Sequence, residues 1–387
     1  MKKIATAILA GSVLFAAEFP SAEISSSDLH VKIYLPDSKS GFYHASRFDW
    51  SGMISSLTYQ GHEYYGQWFQ RVDSKVRDFA YDGADIVASP CTAALGPAEE
   101  FDQLGYQEAG DAFVKIGVGL LRKPGDSNYN RFTLYDVVDP GKWSVQKTAN
   151  SIEFTQTLDD ARYGYVYRKA ISLAGNEMTI SHSLKNTGSK PIDTTVYNHN
   201  FLRIDGAAPG PDYTITVPFA IQSSRPPNAD FAEIRGNRIL YKKLLENQDR
   251  VAAPMQGFGA DAKDFDIRIE NKTSNAGLRI TGDRPLQSES LWSIRAVLAV
   301  EPFVKIHAAP GQEFSWSLKY TYFTVGRGRE IFMKRCTTCH DEAPVISARR
   351  TKADWDRIID DMVSRGANGT DEELEAISAY LTKNYGK

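Results

Sequence analysis

Hydrophobic and polar positions alternate in short stretches along most of the chain. Clear examples are Met53–Tyr59, Ser151–Leu158 and Phe314–Thr324, and turn residues such as Pro310-Gly311 lie between neighbouring stretches. Strands at this spacing are typical of an all-β sandwich or barrel. No linker rich in proline or serine interrupts residues 28–325, so we predict one large β-sandwich domain there. The other predicted strands are His30–Leu35, Phe113–Leu121, Tyr163–Ile171, Met178–Leu184, Tyr213–Pro218, Phe265–Ile269, Leu278–Ile280 and Ser293–Val300.

The periodicity changes after Val325. Thr351 is a candidate N-cap for a helix from Lys352 to Arg365, and Thr370 forms a capping box with Glu373 for a helix through Asn384. We therefore predict a small all-α domain over residues 326–387. A domain of fewer than about 70–80 residues usually needs a metal, a disulfide or a cofactor to be stable.

The N-terminus has the pattern of a secretory signal peptide, predicted over residues 1–22. Two lysines follow Met1, and an apolar run extends from Ile4 to Ala17. A run of about 14 residues is too short for a membrane-spanning helix, which needs about 20. We therefore expect an exported periplasmic protein without an integral membrane span.

Composition narrows the possible partners and cofactors. Hydrophobic residues make up 42% of the chain and charged residues 24%, as in ordinary globular proteins. The net charge of −3 excludes the basic field expected of a nucleic-acid-binding protein. Only three cysteines occur, too few for a disulfide framework, and two of them lie in one short motif.

That motif is Cys336-Thr337-Thr338-Cys339-His340, the C-x-x-C-H attachment sequence of c-type haem. Both thiols would bond to the haem, and His340 would ligate the iron. A zinc site would need four nitrogen or sulfur ligands, and this region has no further cysteine or histidine. A thioredoxin-type dithiol would need a preceding strand in a βαβ unit. We predict one covalent haem c.

Around this motif the chain resembles class I cytochromes c over residues 326–387. Gly328-Arg329-Glu330-Ile331-Phe332 is similar to the first helix of that family, and Ala379-Tyr380-Leu381 to its last helix. The resemblance implies a single-electron carrier that works with a redox partner protein. It also implies a distal methionine ligand to the iron.

Two methionines in this region are candidates for that ligand. Met333 lies three residues before Cys336, on the side of the proximal attachment. Met362 follows Trp355, Ile358 and Ile359 at helical spacing, on one apolar face that would cover the distal side. We predict Met362 as the ligand. The alternative is that Met362 only fills the core.

Two stretches of the large domain resemble galactose mutarotases (aldose 1-epimerases). They are Asn198-His199-Asn200-Phe201-Leu202 and the segment from Leu298 to Pro302 that precedes Pro310-Gly311. The resemblance implies a galactose mutarotase-like supersandwich with His199 as general acid and Glu301 as general base. It also matches Arg47 to an arginine near the sugar. Trp292 is a candidate for stacking on a sugar ring or for the core.

These features predict an exported mono-haem cytochrome whose β-domain binds a carbohydrate and interconverts its anomers. In the alternative, the β-domain is a non-catalytic docking module for a partner dehydrogenase. Sugar oxidation by the haem itself is disfavoured, because it removes two electrons and one haem accepts one. The two acid–base side chains are expected about 5–8 Å apart, on opposite sides of one sugar ring.

Overall fold

The computed structural model describes residues 19–125, 127–339 and 341–387, which form mostly β-structure followed by helices. The predicted signal peptide lies largely outside the described residues. The strands of the described chain are β1 Ser21–Ser25, β2 Leu29–Tyr34, β3 Met53–Tyr59, β4 His62–Glu63, β5 Arg71–Val72, β6 Phe79–Asp82, β7 Asp85–Ala88, β8 Gly96–Phe101, β9 Ala112–Lys115, β10 Gly119–Arg122, β11 Val137–Asp139, β12 Lys142–Lys147, β13 Ser151–Leu158, β14 Tyr165–Ala174, β15 Glu177–Asn186, β16 Ile192–Phe201, β17 Tyr213–Thr216, β18 Ala232–Arg235, β19 Arg238–Tyr241, β20 Arg250–Met255, β21 Asp266–Asn271, β22 Ala276–Gly282, β23 Ser288–Ile294, β24 Val297–Ala308 and β25 Glu313–Thr324. The helices are α1 Gly326–Arg335, α2 Ala343–Ile346, α3 Lys352–Ser364 and α4 Asp371–Tyr385, with 3₁₀ turns at Ile204–Gly206 and Ala262–Asp264.

Two large antiparallel sheets dominate the β-part. One has ten strands in the order β12-β13-β14-β15-β25-β22-β21-β17-β19-β18, and the other has five in the order β20-β23-β24-β16-β8. A single hydrophobic core contains side chains from both sheets, including Ile171 and Tyr320 of the first and Val196 and Val300 of the second. The sheets therefore form the large sandwich that the alternating pattern predicts.

The five-stranded sheet is covered on both faces. Even-numbered residues of β16 and β24, such as Val196 and Val300, point into the core between the sheets. Odd-numbered residues, such as Tyr197 and Phe201, pack in a second core with Phe48, which precedes β3. This second face carries the candidate site described below.

Two predicted strands are wrong, because each is a hairpin. Phe113–Leu121 divides into β9 and β10 at Gly117 and Gly119, whose φ angles are +79° and +133°. Such angles favour glycine, and a Cβ on Gly119 would lie 2.1 Å from the Asp139 carbonyl oxygen. Ser293–Val300 divides at Arg295, whose guanidinium donates to the Ala84 carbonyl oxygen at 2.7 Å. That turn contains neither glycine nor proline, so the sequence pattern looks continuous.

The first described strand overlaps the end of the predicted signal peptide. Strand β1 begins at Ser21 and pairs with β2 from Ser21↔Tyr34 to Ser25↔His30. The predicted boundary at residue 22 therefore falls inside a paired strand.

A fully buried charge cluster joins the two sheets. Lys169 Nζ on β14 lies 2.7 Å from Glu99 Oε2 on β8 and 3.3 Å from Asp49 Oδ2. His182 Nε2 lies 2.8 Å from the other Glu99 oxygen. Burial raises the pKa of Glu99, but the charges of His182 and Lys169 outweigh it, and the net shift is downward. Each charge in this cluster depends on its partners, because all four side chains are buried.

Replacing Lys169 with methionine is expected to destabilise the protein by about 3–5 kcal/mol, since it leaves Asp49 and Glu99 buried without their shared cation. Urea unfolding followed by tryptophan fluorescence measures the change. Lys142→Met, at an exposed position on β12, is the control and should change stability little. Equal unfolding midpoints for the two variants would contradict this role for Lys169.

The helical part forms a separate small core at the C-terminus. The predicted N-cap Thr351 and the predicted capping box of Thr370 with Glu373 are both present, and Thr351 also forms a capping box with Asp354. Helices α1 and α4 cross closely at Gly328, where a Cβ would lie 2.1 Å from the Ala376 carbonyl oxygen. The core residues are Ile331, Phe332, Trp355, Ile359, Ile377, Tyr380 and Leu381.

Ion pairs connect the helical part to the ten-stranded sheet. Glu342 pairs with Arg238 of β19 and lies 3.7 Å from Arg329 of α1. Arg329 Nε also lies 3.9 Å from Glu270 of β21, a carboxylate that accepts a hydrogen bond from Arg268 at 3.0 Å. No helix in the described residues is long and apolar enough to cross a membrane.

Candidate functional site

Strand register brings His199 and Glu301 together. Strands β16 and β24 pair through Tyr197↔Phe303, and Leu202 bridges to Leu298 further along, so His199 lies opposite Glu301. On the other side of β24, Ser290 of β23 pairs with Glu301. Side chains of directly opposite residues on antiparallel strands share one face of the sheet.

These three side chains form a hydrogen-bonded row. His199 Nε2 lies 3.1 Å from Glu301 Oε1, and Ser290 Oγ donates to Glu301 Oε2 at 2.7 Å. The other ring nitrogen of His199, Nδ1, is buried and has no hydrogen-bond partner in the described structure. The imidazole stacks on Phe201 with 3.8 Å between ring centroids and meets Trp292 edge-on at 5.3 Å.

The expected separation of 5–8 Å between the two groups is wrong. They contact each other directly, because they are neighbours across one strand pair and do not stand on opposite sides of a ligand-sized gap. Both face the same cavity of about 240 Å³. Any molecule in that cavity would therefore meet both groups from one side.

Burial shifts both groups towards their uncharged forms. It raises the pKa of Glu301, although the Ser290 hydrogen bond and the nearby arginines oppose the shift. It also holds the pKa of His199 well below its usual range, and the charge of Arg47 acts in the same direction. At neutral pH the imidazole is uncharged. Its contact with Glu301 is therefore a hydrogen bond and not an ion pair, and the titrations of the two side chains are coupled.

The predicted sugar-contacting residues Arg47 and Trp292 also line this cavity. Trp292 is half-buried, with part of its indole exposed towards the cavity. Arg47 is buried; its Nε donates to Glu100 Oε2 at 2.8 Å and its Nη2 to the Tyr197 hydroxyl at 2.9 Å. Their roles in sugar binding stay predictions. The other lining residues are Asp78, Thr92, Arg131, Phe132, Tyr197, Arg225, Arg250, Ala252, Ala253, Pro254, Ser290 and Leu291.

Sequence reasoning missed several of these groups. Ser290 and Arg250 carry no motif, and only the pairing of β20, β23 and β24 brings them beside Glu301. Glu289, next to Ser290, points to the opposite face of the sheet and neither of its oxygens has a partner in the described structure. Burial raises the pKa of Glu289 to about 8, so it is mostly protonated at neutral pH.

A second cavity lies entirely within the helical part. It has a volume of about 460 Å³, and Cys336, Cys339 and Met362 all line it. The rest of the lining is mainly apolar, with Phe332, Val345, Ala348, Trp355, Ile358, Ile359, Ile377 and Leu381. The three cysteines of the chain are free thiols. His340 lies outside the described residues.

The two candidate methionines are on different sides of the helical part. Met362 of α3 lines the cavity that the motif cysteines face. Met333 of α1 lines another cavity, against the β-part with Thr214, Arg238 and Asn275. The described residues contain no group of three or more His, Cys, Asp and Glu side chains that could hold a metal ion. Sequence reasoning missed the three arginines of the cysteine-lined cavity, Arg335, Arg350 and Arg365.

Several solved structures are similar to this chain. They include a galactose mutarotase-like protein from Lactobacillus casei (14% identity, TM-score 0.45, covering 78% of this chain and 100% of that one). Another is an aldose epimerase homologue from C. elegans (12% identity, TM-score 0.47, covering 79% of this chain and 99% of that one). A third is a galactose mutarotase-like protein from Clostridium acetobutylicum (11% identity, TM-score 0.45, covering 78% of this chain and 94% of that one). No protein-family model and no curated protein matches the sequence. At these identities and TM-scores the similarity assigns neither a family nor an activity.

Proposed function

We propose that the chain is an exported mono-haem cytochrome c with two domains, a sugar-binding β-domain over residues 28–325 and a haem domain over residues 326–387. The observation that carries the haem proposal is the apolar cavity lined by Cys336, Cys339 and Met362. A bound haem would supply reversible one-electron transfer. The cavity also fits the size range of small-molecule and cofactor sites.

The residues of the helical part have distinct roles in this proposal. The thiols of Cys336 and Cys339 would hold the group covalently, and the Met362 thioether would reach it from helix α3. The apolar side chains would shield a bound group from water. Arg335, Arg350 and Arg365 put positive charge around the same cavity and suit a cofactor that carries carboxylates.

Replacing Met362 with alanine is expected to remove the sulfur ligand, abolishing the ferric sulfur-to-iron charge-transfer band and lowering the reduction potential. Absorption spectroscopy and potentiometry of the purified holoprotein measure both. Met333→Ala is the matched control, because Met333 lines a different cavity. The assignment is wrong if Met333→Ala loses the band and Met362→Ala keeps it.

For the β-domain, we propose binding and anomer interconversion of an aldose at His199 and Glu301. The anomeric hydroxyl and the ring oxygen are bonded to the same carbon, so two groups 3.1 Å apart can reach both from one side. Burial raises the pKa of Glu301 and lowers that of His199, and this proposal therefore takes Glu301 as the acid and His199 as the base. This reverses the roles that the family resemblance implies.

The proton balance of this reaction closes on the two residues. His199 takes the proton of the anomeric hydroxyl while Glu301 protonates the ring oxygen, which keeps the electron pair of the breaking bond to the anomeric carbon. The open-chain aldehyde then closes from its other face, and both transfers reverse. Neither group is changed at the end of the cycle, so no further acid or base is required.

Anomer-exchange NMR of the full-length protein with a panel of aldoses tests this activity. The proposal predicts exchange faster than the buffer rate, with a maximum in the pH range where the pair holds one proton. If no aldose binds or exchanges, the β-domain is instead a docking module for a partner dehydrogenase.

A further inference from the structure

The cavity at His199 and Glu301 is unusually rich in arginine. Four arginines line it, Arg47, Arg131, Arg225 and Arg250, against two acidic residues, Asp78 and Glu301. A neutral sugar needs hydrogen-bond donors and acceptors in its site but no such excess of positive charge.

Two of these arginines are already engaged within the protein. Arg47 donates to Glu100 at 2.8 Å, and Arg131 Nε lies 3.5 Å from the same carboxylate. Lys115 Nζ, at 3.4 Å, is a third cation on Glu100. Burial raises the pKa of Glu100, but Lys115, Arg47 and Arg131 together lower it to about 2. Asp78 is a second carboxylate, 3.9 Å from Arg47 Nη1, so two carboxylates face three cations and their positive charge is incompletely neutralised.

The other two arginines are available to a ligand. Arg225 lies in the segment between β17 and β18, and Arg250 begins β20. Both are exposed, and neither guanidinium forms a hydrogen bond or an ion pair with any described residue. They reach one cavity from two separate segments, and His199, whose buried Nδ1 has no hydrogen-bond partner in the described structure, also lines that cavity.

We propose that the aldose bound here carries an anionic group, a carboxylate or a phosphate, which Arg225 and Arg250 bind at the cavity entrance. Guanidinium groups match the planar fork of a carboxylate or phosphate, and their hydrogen bonds to such anions are stronger than those to hydroxyls. This inference rests on the proposal that the cavity takes a sugar. It deepens that proposal, because the anion would fix the orientation of the anomeric carbon beside His199 and Glu301.

Isothermal titration calorimetry of the full-length protein tests the inference without relying on catalysis. The probes are glucuronate and galacturonate, glucose 6-phosphate, the neutral sugars glucose and galactose, and inorganic phosphate. The anionic sugars are expected to bind roughly ten- to hundred-fold more tightly than the neutral ones, the scale of one or two charge-assisted hydrogen bonds. Comparing the affinities for the uronates and for glucose 6-phosphate identifies which anion is preferred. If inorganic phosphate binds as tightly as glucose 6-phosphate, the proposal that the ligand is a sugar is overturned.

The double variant Arg225→Gln/Arg250→Gln should remove this preference, so that the affinity for the anionic sugars falls to that for the neutral ones. Arg168→Gln is the matched control, because Arg168 is an exposed arginine of β14 on the ten-stranded sheet. Equal affinities for charged and neutral sugars, or an equal loss in the control, would overturn the inference. Exchange of neutral aldoses without anion preference would leave the proposed function standing, whereas arginine-dependent binding without anomer exchange would remove only the catalysis.

Discussion

Replacing both Cys336 and Cys339 with alanine is expected to abolish covalent haem attachment in protein made with a cytochrome maturation system. The two thiols line one apolar cavity of about 460 Å³, and the helical part has only a small core besides it. Without a bound group to fill the cavity, the helices lose the ligand that stabilises their folded state. We expect weaker helical circular dichroism and a lower melting temperature for that part.

The third cysteine of the chain provides the control for this experiment. Cys91 is buried in the β-part, with its sulfur 3.7 Å from the Ser46 hydroxyl. Cys91→Ala should keep the full haem content. Covalent haem in the double variant, or its loss in the Cys91 variant, would show that the attachment site lies elsewhere.

Replacing His199 with asparagine or Glu301 with glutamine is expected to slow anomer exchange by about 10²–10⁴-fold, the usual contribution of one general acid or base. Because the two groups act as one proton-transfer pair, the double variant should be hardly slower than either single one. The pH dependence should also change in the single variants, since a lone group titrates differently from a coupled pair. Anomer-exchange NMR measures all three effects.

A second histidine–carboxylate pair in the same chain is a matched control. His62 Nδ1 lies 2.9 Å from Asp205 Oδ2, outside the cavity of His199. His62→Asn should therefore leave the exchange rate unchanged. If His62→Asn and His199→Asn slow exchange equally, or if neither does, the assignment of the active pair is wrong.

The sequence predicts the parts of this protein that follow from local pattern. Period-two alternation gives Met53–Tyr59 and Ser151–Leu158 with the bounds that the structure has, and the two threonine capping boxes locate the starts of α3 and α4. Hairpins whose turns lack glycine or proline, such as the one at Arg295, need tertiary contacts to be recognised. Strand β8 was missed for a related reason: its Glu99 and Glu100 look like surface residues, and partners distant in sequence make their burial possible.

The candidate sites likewise combine features that a short stretch of sequence reveals with features that only the folded chain brings together. The C-x-x-C-H motif is a local signal, and the helical spacing that leads to Met362 is local as well. The arginines around the cavity of His199 and Glu301 come from separate segments, and only the folded chain brings Arg47, Arg225 and Arg250 together. The separation of His199 and Glu301 depends on the register between β16 and β24, which sequence alone does not fix.

Intact-mass spectrometry of the full-length protein tests the proposed covalent haem most directly. Protein made with a cytochrome maturation system should carry the mass of one haem per chain, with the modification on the peptide containing Cys336 and Cys339. The pyridine haemochrome spectrum should be that of a haem bound through two thioethers. Protein whose mass shows no haem, or whose haem is removed by acidic acetone, would contradict the claim.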